Sequence, residues 1–186
     1  FTWRLAKVIE VQDGSVKLDT NGEAIETYDQ ETITQYAAAL TGWYFDTRDS
    51  NHDENFACSN TCFPVELAKK PMVAFDHIHQ KSAKRLLRGY YIPAGQSAEQ
   101  DLQITLDSLF NHPNVAPFFS LHLIRQMVTS NPSSEFVGRV SAVFNNNGEG
   151  VRGDIGATVK AVLFDPEARR PETVEVALYG KVKEPL

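Results

Sequence analysis

Four helical segments in succession, between Ser97 and Phe164, constrain the fold of this chain more than any other feature. In each segment, apolar residues recur at helical spacing. Each segment also has its own boundaries, with capping residues such as Ser97 and Asp154 at the starts and proline or glycine at the ends. A run of short, separately bounded helices is typical of a helical bundle. We therefore expect residues 96–166 to form one helical block.

The first helix of this block carries the clearest local signals. Ser97 and Gln100 have the spacing of a capping box, in which each side chain accepts a hydrogen bond from a backbone N–H of the first turn. Downstream, four apolar residues fall on one stripe and are expected to face the core: Leu102, Leu106, Leu109 and Phe110.

The chain ahead of the block predicts smaller elements. Asp13-Gly14 and Asn21-Gly22 are hairpin-turn dipeptides between alternating segments, which indicates an antiparallel β-meander over residues 1–28. A helix capped by Asp29 should follow, with Gly42 at its C-terminal end. A long polar loop comes next, and a strand is expected over residues 88–92.

These patterns together predict a mainly α fold, a bundle of about five helices with a small antiparallel β-meander near the N-terminus. We expect a single domain over 1–186, divided into the meander (1–28), a helix plus long loop (29–95) and the helical block (96–166). The chain opens on Phe1 rather than Met, so we interpret it as a fragment of a longer protein.

Composition excludes some classes of partner. A net charge of -6 at pH 7 and a pI near 5.4 argue against nucleic acid, which binds concentrated basic surfaces. We also find no apolar run long enough to span a membrane.

The chain has two cysteines, Cys58 and Cys62, close together in the long polar loop. A structural zinc site normally needs four ligands, so a local disulfide is the favoured interpretation, ahead of free thiols or half of a metal site. A disulfide would imply an oxidising compartment.

Metal-ligating residue types cluster at Asp76, His77 and His79. In an extended segment the two histidines would point to the same face and could share a divalent metal ion, with His52 as a further ligand from the long loop. The simpler alternative, which we favour, is a hydrogen-bonded surface turn.

A second candidate cation site follows the third helix of the block. Asn145, Asn147 and Glu149 resemble part of a calcium loop, with oxygen ligands at alternate positions and a glycine at the sharp turn. The glutamate expected at the loop's end is missing. A glycine turn with Asp154 capping the fourth helix explains the same residues and is favoured.

Three stretches of the chain resemble an exported bacterial family catalogued as domain of unknown function 1800. The first runs from Lys17 to Trp43, the second joins His79 and Lys84 to the segment Ile92 to Leu102, and the third covers Leu109–Val115, Val128–Pro132 and Val143–Arg169. The turn motifs occur in the same order over nearly the whole chain. We interpret it as an internal-to-C-terminal fragment of such a protein.

The resemblance implies a mainly helical protein that is exported to the periplasm or cell surface, with a sulfatase-like protein as a possible partner. No reaction is established for the family, so no catalytic residue can be transferred to this chain. Two departures weaken the metal hypothesis: Gln80 stands where relatives commonly have an acidic residue, and Asn146 where they often have aspartate.

The favoured functional hypothesis is a non-catalytic exported module that binds or scaffolds a partner protein or a cell-surface polymer. It depends on the lack of a catalytic constellation in the sequence and on the long loop flanked by aromatic residues. The alternative is a metal-dependent enzyme with its site around His77 and His79.

Overall fold

The computed structural model of this chain describes residues 17–46 and 69–169. Five α-helices lie in these ranges: α1 (Gln30–Ala39), α2 (Ala98–Phe110), α3 (Val115–Met127), α4 (Ser134–Asn145) and α5 (Ile155–Phe164). Two short antiparallel pairs accompany them: β1 (Trp43–Phe45) with β2 (Met72–Ala74), and β3 (Lys84–Arg85) with β4 (Tyr91–Ile92). The protein is therefore mainly helical, as the sequence predicts.

The chain divides into two compact units. In the described ranges, one unit spans residues 29–110, and the other combines residues 17–28 with 111–169. We call them the 29–110 unit and the 111–169 unit. The organisation predicted from sequence, one domain over 1–186, stays a prediction.

Each unit has its own apolar core. In the 29–110 unit, α1 and the β3–β4 hairpin bury Ala39, Leu86 and Ile92. In the 111–169 unit, α3, α4 and α5 pack together around a larger cluster: Ile124, Phe136, Val137, Val140 and Val162.

The helix starts are fixed by the caps that the sequence predicts. Asp29 Oδ1 accepts a hydrogen bond from Thr32 N at 2.7 Å at the start of α1. The capping box is formed, since Ser97 N donates to Gln100 Oε1 at 3.0 Å and Gln100 N donates to Ser97 Oγ at 3.3 Å. These bonds satisfy N–H groups that have no partner within the helix.

Helix α2 turns inward a face that lies about 100° around the helix from the one predicted. Its buried residues include Asp101, Thr105 and Ser108, whereas Leu106 and Phe110 of the leucine stripe are 50% and 44% exposed. The prediction that the stripe faces the core is wrong. The reason is that the polar face finds hydrogen-bond partners inside the 29–110 unit, which offsets the cost of burying it.

The β-structure is less extensive than predicted. Residues 88–92 are not one strand, because Arg88 and Gly89 have φ of 57° and 78° and belong to a 3₁₀ turn that precedes β4. At Asn21-Gly22 the predicted hairpin turn is present, with Leu18 bridging to Ala24 on either side of it. The first strand of the predicted meander lies outside the described residues.

Candidate functional site

Three charged or titratable side chains meet in the interior of the 29–110 unit. His79 Nε2 lies 3.0 Å from Asp101 Oδ2, and Lys84 Nζ lies 2.7 Å from the same oxygen. All three side chains are at most 1% exposed. Buried charges are stable only when they are paired and hydrogen-bonded. The loss of any one side chain of this His79–Asp101–Lys84 cluster would therefore leave a buried group without its partner.

The elements around the cluster supply its remaining hydrogen bonds. Lys84 Nζ also donates to the carbonyl oxygens of Gln80 and Ser82, so all three of its N–H bonds are used. His79 Nδ1 lies 2.8 Å from the carbonyl oxygen of Thr41, which can only accept, so Nδ1 carries a hydrogen. The cluster thereby links the end of α1, the start of β3 and the first turn of α2.

The two histidines of the metal hypothesis are separated by this arrangement. Residues 75–78 form a turn closed by a hydrogen bond from Ile78 N to Phe75 O at 3.1 Å, so the extended conformation assumed for the shared face is wrong. His77 is exposed and lies edge-to-face on Phe75, whereas His79 is buried. Asp76 accepts a hydrogen bond from Ala98 N at 2.8 Å and so caps α2.

Within residues 17–46 and 69–169, no group of three or more His, Cys, Asp or Glu side chains is arranged to hold a metal ion. His52, the fourth predicted ligand, lies outside the described residues, as do Cys58 and Cys62 with their predicted disulfide. The metal site as a whole and the disulfide stay predictions.

The amide oxygens of the candidate cation loop are engaged within the loop. Asn147 Oδ1 accepts from Glu149 N at 2.9 Å, Asn147 Nδ2 donates to Asp154 Oδ2 at 2.8 Å, and Asn145 Oδ1 accepts from Arg152. Asp154 caps α5 through Ala157 N at 2.9 Å. This geometry matches the favoured glycine turn, and the cation site stays a prediction.

Asp154 shows the electrostatic effect of this cap. Its pKa is held below the usual value of 3.8 by the hydrogen bond from Ala157 N and then by the one from Asn147. The carboxylate is thereby kept charged at the positive end of the α5 dipole, where negative charge is favourable.

The 111–169 unit carries an open cleft between the start of α4 and the segment that follows α5. The cleft has a volume of ≈ 430 Å³ and is lined by Ser133, Glu135, Arg139, Pro166 and Glu167. That volume lies within the range of small-ligand sites, roughly 300–1,000 Å³.

Arg139 is held in this cleft by a two-pronged ion pair. Its Nε and Nη2 donate to the two carboxylate oxygens of Asp165 at 2.7 and 2.8 Å. Asp165 is buried, whereas the Arg139 side chain is 48% exposed. The guanidinium is therefore fixed in orientation while part of it faces the cleft.

Glu167 shapes the other wall of the cleft. It is buried, and its carboxylate accepts hydrogen bonds from both the backbone N–H and the hydroxyl of Ser133. Ser133 also caps α4, since its Oγ accepts from Phe136 N at 3.1 Å. The chain after α5 is thus fastened to the start of α4.

The Asp165–Arg139 pair makes the 111–169 unit sensitive to acid. Burial by itself would raise the pKa of Asp165, but the hydrogen bonds from Arg139, the N–H of Glu167 and the guanidinium charge together hold it below 3.8. Because folding lowers this pKa, the carboxylate stabilises the fold above pH 3.8, and the stabilisation is lost as pH falls toward the folded-state value.

We expect Asp165→Asn to lower the free energy of unfolding at pH 7 by about 1 kcal/mol, a modest figure because solvent screens the half-exposed Arg139. The difference in free energy of unfolding between Asp165→Asn and the parent protein should become smaller as pH falls below 3.8. Urea unfolding at pH 7 and pH 3 measures both values. Exposed Glu149→Gln is the control, and a difference that stays constant with pH would contradict the role of the carboxylate.

The sequence predicted neither the His79–Asp101–Lys84 cluster nor the Arg139–Asp165 ion pair. Lys84 and Asp101 stand in the stretches that carry the family resemblance, yet their spacing alone gave no reason to pair them with His79. Asp165 directly follows the fourth helix of the block and precedes Pro166, so the sequence predicts a helix end at this position and no ion pair. Neither Asp101 nor Asp165 stood at a position where the apolar pattern predicts burial, so the local sequence carried no signal for them.

These features define the class: a mainly helical protein with a buried His–Asp–Lys cluster in one unit and a polar cleft in the other. None of the helices in the described ranges is long and apolar enough to span a membrane. The family model described as "Protein of unknown function (DUF1800)" matches residues 17–186, so the chain belongs to that family. Comparison with curated proteins and with solved structures gave no match.

Proposed function

We propose that this chain is a binding module of an exported bacterial protein and that it holds a cell-surface polymer in the cleft beside Arg139. The observation that carries the proposal is the fixed, partly exposed guanidinium in an open polar cleft of ≈ 430 Å³. Export is supported by the family resemblance and by a cysteine pair suited to an oxidising compartment.

The polar lining of the cleft favours a polymer over a protein partner. Protein interfaces are enriched at their centres in aromatic residues, methionine and arginine and depleted in glutamate and serine, and the cleft matches that composition only at Arg139. The cleft instead presents Ser133, Glu135 and Arg139, with Pro166 as the apolar member of its lining. A hydroxyl-rich chain can bind such a surface through hydrogen bonds to charged groups, which are stronger than those to neutral ones.

The buried cluster in the 29–110 unit supports a non-catalytic role for its own residues. Each nitrogen of His79 has a partner, and Lys84 uses every N–H bond on the protein itself. A general base or acid must reach a proton on the substrate, and these side chains are at most 1% exposed. Their contacts explain how the first turn of α2 is fixed.

The proposal is tested by titrating the protein with a panel of soluble polysaccharides and measuring binding by calorimetry. We expect at least one polymer to bind, and Arg139→Gln to weaken that binding about tenfold, roughly 1.4 kcal/mol. Arg125→Gln in α3 is the matched control, since it makes the same substitution on a partly buried arginine that does not line the cleft. Thermal unfolding of each variant separates lost binding from lost folding.

Two outcomes would contradict this proposal. One is that no polysaccharide in the panel binds; if an exported protein such as a sulfatase-like partner then binds through Arg139, the scaffolding function is supported instead. The other is that Arg139→Gln and Arg125→Gln weaken polymer binding equally.

A further inference from the structure

The charges around the cleft are unbalanced. Glu135, Glu167 and Asp165 contribute three carboxylates, and Arg139 contributes the single guanidinium among the lining residues. Asp165 already pairs with Arg139 through two hydrogen bonds, so the guanidinium charge is largely compensated before any ligand binds. The field that a ligand meets in the cleft is therefore negative.

The hydrogen-bonding groups of the cleft are of both kinds. Arg139 uses Nε and Nη2 on Asp165, which leaves Nη1 without a partner in the described part of the chain and able to donate. Glu135 is exposed in the first turn of α4, and its carboxylate accepts a 3.3 Å hydrogen bond from the hydroxyl of Ser134. A donor and an acceptor thus stand one helical turn apart on the same face of α4.

We propose that the cleft selects uncharged, hydroxyl-rich polysaccharides over acidic ones and that Glu135 is the residue that determines this selection. The inference rests on the proposed function, because it names the class of polymer bound at the same site. A sugar hydroxyl both donates and accepts, so neighbouring hydroxyls can bind Glu135 and Arg139 at once.

Charged polymers lack this match. A sulfate or uronate group only accepts hydrogen bonds, so it would bind Arg139 alone and be repelled by Glu135 and Glu167. Glu135 carries its charge at neutral pH, since its own backbone N–H, then the hydroxyl of Ser134, and more weakly Arg139 hold its pKa below the usual 4.5. The whole protein, with a net charge of -6, adds to the repulsion of acidic polymers.

The test uses pairs of polymers that share a backbone and differ in sulfation, such as dextran with dextran sulfate and laminarin with sulfated laminarin. The whole chain is used in about 0.15 M salt, where screening limits long-range electrostatic effects. For any pair that binds, we expect the neutral polymer to bind at least about tenfold more tightly than its sulfated counterpart. Glu135→Gln should reduce that preference to about threefold or less by removing the repulsion of sulfate.

The control is Glu149→Gln, which removes the same charge from an exposed position that does not line the cleft and should leave the preference unchanged. If the parent protein binds the sulfated member as tightly as the neutral one, or if both variants change the preference equally, the selection by Glu135 is wrong while the polymer-binding function stands. If neither member of any pair binds, the proposed function itself fails.

Discussion

Replacing Asp101 by alanine should destabilise the 29–110 unit by about 3–5 kcal/mol, because the change leaves Lys84 and His79 buried without their shared carboxylate. Proteins of this size are stable by only about 5–15 kcal/mol, so much of the unit's stability would be lost. The free energy of unfolding from urea titration, followed by circular dichroism at 222 nm, measures the effect.

Glu99→Ala is the matched control for this substitution. Glu99 also lies in the first turn of α2 and is exposed, so its loss removes the favourable interaction with the helix dipole, worth up to about 1 kcal/mol, without touching the cluster. Lys84→Met introduced into the Asp101→Ala protein should recover part of the loss, since it removes the unpaired charge. A cost for Asp101→Ala no larger than that of Glu99→Ala would show that the cluster is not needed for folding.

Gly42→Ala should cost about 2–4 kcal/mol through two separate effects. Gly42 has φ of 86°, a left-handed conformation that disfavours any residue with a Cβ. The added Cβ would also lie 2.9 Å from the Cβ of His79 and 3.2 Å from the carbonyl oxygen of Phe75. Either His79 or the backbone must move, and His79 is held by Asp101 and Thr41.

Gly95→Ala separates the two effects in the same unit. Gly95 has nearly the same φ, 87°, but a Cβ there would have no atom within 4 Å. The two variants should therefore share the backbone strain, and only Gly42→Ala should add about 1–3 kcal/mol from the steric contact. Thermal unfolding of both variants measures the difference. Equal shifts in Tm would mean that His79 moves away from the added Cβ without destabilising the unit.

Most of the secondary structure was determined locally and could be predicted. The caps at Asp29, Ser97 and Asp154 bond to N–H groups three residues further along the chain, so residue type and spacing were enough to place three helix starts. The turn at Asn21-Gly22 could also be predicted, because Gly22 has a positive φ that tight hairpin turns require and that glycine adopts readily. The cleft and the cluster had no comparable signal.

The orientation of α2 is a feature that the local sequence could not predict. Apolar periodicity predicted a helix and suggested that the leucines face inward, yet the buried face carries Asp101, Thr105 and Ser108. That choice depends on partners such as Tyr36, whose hydroxyl lies 2.5 Å from Ser108 Oγ across 72 residues of sequence. Hydrophobic pattern alone cannot account for a polar face whose partners come from another element.

The sequence by itself thus determined that this chain is mainly helical, where three of its helices begin, and to which family it belongs. Only the tertiary structure brought Asp101 to His79 and Lys84, which lie 22 and 17 residues before it, and set Arg139 against Asp165, 26 residues later. The physical reason is the range of the interactions. A cap is satisfied within one turn of its own helix, whereas a buried ion pair or a cleft exists only where the path of the chain returns to the same place.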